Sequence, residues 1–230
     1  MAKARLNLPT GWTVEEGVLA KSLAQDAKVL FIYAINYETI KKLVDNFKIQ
    51  PTILNDEFEE LEKARKFGFD VISGNINAGA LDDFAEKEFD YVVCECGLNS
   101  ARYPGDFVKS AVKIGKNFVL CQENRGRFSQ RLKFLFRGSL YISNQYDIIP
   151  DDEFAWFNKD PWLLSHKDIV NLCACFGFAI KKGTIIYKNG DIDNMYDIRS
   201  YPNFSAEKVY YIISDESTLQ PTYKMGGATM

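Results

Sequence analysis

Five short apolar runs, each set off from the next by a stretch suited to a helix or a turn, occupy the first 125 residues and constrain the fold more than any other feature of the chain. Val29 to Tyr33, Thr52 to Asn55, Phe69 to Ser73, Asp90 to Cys96 and Asn117 to Gln122 have the length of strands. The first is apolar throughout, as a strand buried on both faces must be. Between them, Tyr37 to Phe47 and Phe107 to Ile114 carry helical spacing, and a short helix is expected around Leu81 to Glu86. Asp56 to Gly68 runs from an acidic start to a basic end that glycine stops, the charge order a helix dipole favours. Strands joined by single helices form parallel βαβ units with right-handed crossovers, so the sequence predicts an α/β fold with a doubly wound parallel sheet. Ahead of it, Thr13 and Glu16 have capping-box spacing and predict a short helix.

After residue 125 the rhythm changes. A basic helix from Arg127 to Arg137 is followed by a long aromatic loop to about Pro161, then by a helix from Ser165 to Phe176 that Gly177 ends. Two late strands, Thr184 to Tyr187 and Val209 to Ile213, are joined without a clear helix and are therefore expected to be antiparallel. At 230 residues and 47% apolar, the chain suits one domain better than two. That domain is expected over residues 1–213, with 214–230 as a flexible tail.

A formal charge of -3 argues against general attraction to nucleic acid or to an anionic membrane. The N-terminus lacks the apolar stretch of a signal peptide, and no run approaches a membrane span, so a cytoplasmic location is expected. Five cysteines form an odd set suited to reduced thiols. Cys94 and Cys96 fall in a strand and Cys173 and Cys175 in a helix, where residues two apart point to different sides. They are expected to be buried small hydrophobes rather than metal ligands. His166, the single histidine, is expected on the surface of a helix's first turn.

The first strand leads through Ala34-Ile-Asn-Tyr37 into a helix, as in nucleotide-binding folds, but this turn contains no glycine. Glycines matter there because, without Cβ atoms, they let a ligand approach the backbone closely.

Several stretches carry a more specific likeness. Phe89-Asp-Tyr-Val-Val-Cys94 resembles the fourth-strand pattern of class I S-adenosylmethionine (SAM)-dependent methyltransferases. Arg65-Lys-Phe-Gly-Phe-Asp-Val-Ile-Ser-Gly-Asn75, and the basic helix Arg127-Phe-Ser-Gln-Arg-Leu-Lys-Phe-Leu-Phe-Arg-Gly138, resemble runs of the MetW family, which is linked to methionine biosynthesis. The resemblance covers roughly Lys28 to Tyr187. It implies a Rossmann-like methyltransferase fold with a C-terminal antiparallel strand pair, and a homoserine O-acyltransferase as protein partner. The basic helix Arg127 to Arg137 is the candidate docking element; its alternative role is to cover the sheet edge with its charges in water.

The departures from the family pattern fall on the cofactor anchors. The family's first-strand Asp is Phe31 or Ile32 here, and its turn glycines become Ala34, Asn36 or Tyr37. The ribose-binding acid is replaced by Asn55, with Asp56 beside it, and the Gly-Asp pair after the third strand is Gly74-Asn75. Any ligand in the family's crevice would meet Ala34, Asn36, Tyr37, Asn55, Asp56 and Asn75. Tyr33 and Tyr37 are instead expected to fill that space. The resemblance therefore implies an eroded SAM site and a non-catalytic partner or regulator in methionine metabolism. The alternatives are an active small-molecule methyltransferase using Glu38, Asp56 and Asn75, or a scaffold docked through the basic helix and the aromatic loop Tyr146 to Phe157. Glu95, at the end of the fourth strand, is the one candidate for a catalytic carboxylate.

Overall fold

The computed structural model describes residues 10–34, 36–95, 98, 101–137, 164–194 and 202–215. The aromatic loop Tyr146 to Phe157, Cys96 and residues 216–230 lie outside them. The described elements run α1 (Val14–Ala20), β1 (Lys28–Ile32), α2 (Tyr37–Phe47), β2 (Gln50–Asn55), α3 (Phe58–Lys66), β3 (Asp70–Ser73), β4 (Phe89–Cys94), α4 (Pro104–Ile114), β5 (Gly115–Glu123), α5 (Phe128–Arg137), α6 (His166–Cys175), β6 (Ala179–Ile186), β7 (Ile192–Asn194), α7 (Pro202–Ser205) and β8 (Lys208–Ser214). One sheet has the order β3-β2-β1-β4-β5-β8-β6-β7. Its first five strands are parallel, β8 is antiparallel to β5, and β6 is antiparallel to β8.

Alternation along β1 divides the core between the two faces of the sheet. Val29 and Phe31 join Leu19 of α1, Ile40 and Leu43 of α2 and Ala64 of α3 in one cluster. Leu30 and Ile32 join Val108 and Val112 of α4 and Ile169 and Cys173 of α6 in the other. The four apolar side chains of β1, Val29 to Ile32, are fully buried, as the unbroken apolar run requires. The predicted capping box is present: Thr13 Oγ1 accepts from Glu16 N, and Glu16 Oε2 accepts from Thr13 N. At Gly115, where α4 passes directly into β5, an added Cβ would lie 2.7 Å from Val92 Cγ2, so any larger residue would force the packing there to shift.

Several expectations are corrected. Residues 81–86 form turns rather than a helix, and the single helical turn in this connection is the 3₁₀ turn Ile76–Ala78. The late strands are longer than their apolar cores, because β6 begins at Ala179 and passes its lysines through a register shift between Ile180 and Lys182. Ser214 is not part of a tail; it ends β8 and is buried. His166 is not on the surface: it is buried, with Nδ1 2.8 Å from the Tyr211 hydroxyl, and burial lowers its pKa to about 4. Cys94, Cys121 and Cys173 are buried, whereas Cys175 is exposed. Among the described residues no helix is long and apolar enough to cross a membrane.

Candidate functional site

In an open parallel sheet, ligands bind beyond the carboxyl ends of the strands, where the connections diverge. Here that edge is made by the segments after β1, β2, β3 and β4. After β1 the chain turns sharply: Tyr33 has φ +49°, a left-handed conformation that favours glycine, and its N–H donates to Leu54 O at 2.9 Å. The Tyr33 side chain crosses towards β3, where its hydroxyl accepts from Ile76 N at 3.4 Å.

The sequence-predicted residues separate into two groups. Asn36 is the N-cap of α2, its Oδ1 accepting from Glu38 N at 3.0 Å and Thr39 N at 3.2 Å, so the helix end is satisfied by its own side chain. Ala34 is buried in the α1–α3 face of the core. Tyr37 does not reach over the strand ends as expected. It is buried among Phe67 and Phe69, its hydroxyl donating to Glu60 O and Oε2 at 3.1 Å. Burial and the Glu60 carboxylate raise its pKa to about 12.

At the ends of β2 and β3 the predicted polar residues do meet. Asn75 Nδ2 donates to Asp56 Oδ2 at 2.5 Å, and Asn75 Oδ1 accepts from Asn77 N at 2.7 Å. Asn55 is buried, its Oδ1 accepting from Glu57 N at 3.0 Å. A Cβ at Gly74 would lie 2.7 Å from that of Ala80, so the glycine of this pair serves the packing of its own loop. Glu38 stands exposed on the first turn of α2.

Beyond β4 and β5 the edge opens into a cavity of about 540 Å³. Its walls come from α1 (Val14, Glu15, Glu16), the start of α2 (Asn36, Thr39), the carboxyl ends of β4, β5 and β6 (Glu95, Cys121, Ile186) and the start of β8 (Lys208, Tyr210). Glu95, a lone candidate in the sequence, thus gains neighbours that its own strand could not reveal. Burial, and then the nearby Glu15 charge, raise its pKa to about 7, with Lys208 opposing. Burial also pushes Glu16 upwards, but its bonds from Lys42, Thr13 and Thr39 outweigh this and hold it below the ordinary carboxylate value. Across the back wall, Cys121 pairs with Tyr210 between β5 and β8, and burial raises the thiol to about 12. Sequence reasoning missed Glu15, Lys208 and Tyr210. The sole local trace of them was the acidic pair inside the Thr13 capping box.

The basic helix α5 and the residue before it meet the segment between β7 and β8. Arg127 Nη1 pairs with Glu207 at 2.9 Å, and the Arg131 guanidinium lies 4.6 Å from the Phe204 ring centre, while Phe128, Leu135 and Phe136 are exposed.

The model of the family described as methionine biosynthesis protein MetW matches residues 16–213. No curated protein matches the sequence. Among solved structures, the chain is similar to a SAM-dependent methyltransferase from Thermotoga maritima, with 16% identity, a TM-score of 0.60 and 87% of each chain covered. It is also similar to a SAM-dependent methyltransferase from Methanosarcina mazei, at 14% identity and TM-score 0.54, covering 90% of this chain and 98% of that one. A third is M. capricolum TrmK in complex with S-adenosyl-homocysteine, at 14% identity and TM-score 0.53, covering 91% and 72% respectively. At these identities the likeness establishes the fold, which is the Rossmann-like fold of class I methyltransferases.

Proposed function

Because the chain belongs to the MetW family, we propose that it acts as a non-catalytic partner or regulator in methionine metabolism, with a SAM crevice occupied by its own side chains. The observation that carries this reading is Tyr33. It takes the left-handed position after β1, and its side chain reaches the 3₁₀ turn after β3, which supports the reading that it fills space a nucleoside would need. The neighbouring polar groups support it, since Asn36, Asn55 and Asp56 are engaged by Glu38, Thr39, Glu57 and Asn75.

A homoserine O-acyltransferase-type partner is assigned to α5. An exposed helix carrying Phe128, Leu135 and Phe136 buries apolar surface when a second protein covers it. Calorimetric titration with SAM and S-adenosyl-homocysteine tests the first half of the reading: no heat is expected, and micromolar affinity would sink it in favour of an active methyltransferase. Tyr33→Gly is expected to admit the ligand that the native chain refuses. Co-purification from the native cell tests the second half. An acyltransferase should be recovered with the native chain and lost with Leu135→Asp, and recovery of the chain without one counts against the assignment.

A further inference from the structure

The cavity at the β4–β5–β8 edge shares little of its wall with the residues expected to meet a nucleoside. Of the six residues expected to meet a cofactor, Asn36 alone is among its lining residues. Its volume of about 540 Å³ lies within the range of small-molecule sites, roughly 300–1,000 Å³. The charges on its wall are unevenly engaged. Glu15 pairs with Lys208 at 2.8 Å, Glu16 with Lys42 at 2.8 Å and Glu207 with Arg127 at 2.9 Å, whereas Lys188 stands exposed. Glu95 differs: it lines the cavity, and among the described residues no hydrogen bond or ion pair reaches its carboxylate.

A mostly buried carboxylate without a donor is costly, and the group that satisfies it must bring both a positive charge and N–H donors. Glu15, Glu16 and Glu207 are already paired, so Glu95 is the wall carboxylate left to take a cation; an anion beside it would add to the repulsion that it meets from Glu15, and a neutral ligand would leave its charged form uncompensated. The rest of the wall suits hydrocarbon, through Val14, Ile186 and the ring of Tyr210. We propose that this cavity binds a small aliphatic ammonium compound, its charged nitrogen held by the Glu95 carboxylate and its carbon chain against Val14, Ile186 and Tyr210. Its occupation does not require SAM, and on the regulatory function proposed above its ligand is the species to which the protein would respond.

The test is a two-dimensional ¹H–¹⁵N NMR titration of the full chain with n-butylammonium chloride, alongside n-butanol and sodium butyrate. The ammonium salt should produce saturable shifts at the amides of Thr39 and Lys208, which the alcohol and the carboxylate do not. Glu95→Gln should weaken this binding by about tenfold or more, the loss of one charge-assisted hydrogen bond. Wild-type protein supplies a second measurement that needs no variant: affinity at about pH 8 should exceed that at about pH 5, because Glu95 becomes neutral across its midpoint. Among the described residues, the titratable groups that line the cavity with it are Glu15, Glu16, Glu207, Lys188, Lys208, Tyr187, Tyr210 and Cys121. Of these, Glu16 is held below its usual range, while Lys208, Tyr210 and Cys121 are held above theirs. The proposal is overturned if the ammonium salt leaves the cavity amides unmoved, if butanol binds as well, if Glu95→Gln binds equally, or if affinity is the same at both pH values.

Discussion

Two halves of one sheet edge have been treated differently in this chain. Over β1, β2 and β3, the polar groups at the places where a methyltransferase meets its cofactor bond to nearby groups of the chain: Asn36 to its own helix, Asn55 to Glu57 and Asp56 to Asn75, with Asn36 and Asp56 still exposed. Over β4, β5 and β8, the edge stays open, and among the described residues none donates a hydrogen bond to the Glu95 carboxylate. Polar side chains need partners wherever water is excluded, so on the function proposed above the first half does without a ligand, while Glu95 in the second half calls for one. The proposed ammonium site therefore falls in the second half, where the sequence offered Glu95 alone.

The largest effect should come from imposing the family pattern on the closed half. Phe31 is fully buried in the core facing α1, α2 and α3. Phe31→Asp removes a large packed side chain and puts a carboxylate in its place, so a loss of about 3–5 kcal/mol is expected, read by urea denaturation. A loss below about 1 kcal/mol would mean that polar space survives at the end of β1, and the contrast between the halves would fail.

At the open half the expected change has the opposite sign. Glu95 is raised from 4.5 to about 7 in the folded chain, so the folded state favours the proton. The resulting penalty is absent below the unfolded value, grows as pH rises through the folded one, and is complete above it. Glu95→Gln should therefore stabilise the protein by about 1–3 kcal/mol near pH 8 and leave it unchanged near pH 4. Equal stability of variant and native chain at both pH values would show that the carboxylate has a partner after all.

Much of this architecture is legible in the sequence, for local reasons. The helix Tyr37–Phe47 appears with its predicted bounds because its periodicity and its Asn36 cap are both local. The parallel order of β1 to β5 follows from single-helix or turn connections. What escapes is non-local. His166 is buried by Tyr211, 45 residues away, and nothing around Ser165-His166-Lys167 announces that contact. β7 is three residues long and exists by pairing with β6, without enough sequence to show a period. The cavity around Glu95 joins Glu15 of α1 to Lys208 of β8, which are 193 positions apart. Tyr37 and Tyr33 looked equivalent as large residues in a glycine-free turn. Backbone direction separates them, sending Tyr37 towards Glu60 and Tyr33 towards Ile76.

A smaller effect is expected where α1 forms the rim of the open half. Thr13→Ala removes one side of the capping box, and about 1 kcal/mol should be lost in denaturation. Glu16 is tied to Thr39 and Lys42 as well as to Thr13, so α1 should stay docked on α2 and the cavity should persist. If the variant also abolished ammonium-induced shifts at Thr39, the cavity would depend on the cap more than on these cross-helix bonds.

The smallest effect on stability, and the finest probe of the contrast, is Lys208→Met. The Lys208–Glu15 pair is 2.8 Å long, but its side chains are 28% and 47% exposed, so solvent screening limits its contribution to about 0.5 kcal/mol. Its influence on Glu95 is another matter. Lys208 is the one charge that opposes the upward shift of Glu95, whereas Glu15 adds to it. Removing the lysine leaves the carboxylate beside an unneutralised Glu15, and its midpoint should move further upward in a ¹³C-carboxyl NMR titration. Glu15→Gln in the same background should bring it back down. A midpoint indifferent to both changes would mean that burial alone sets Glu95, and that the cavity's charges are arranged for their own pairing rather than for a ligand.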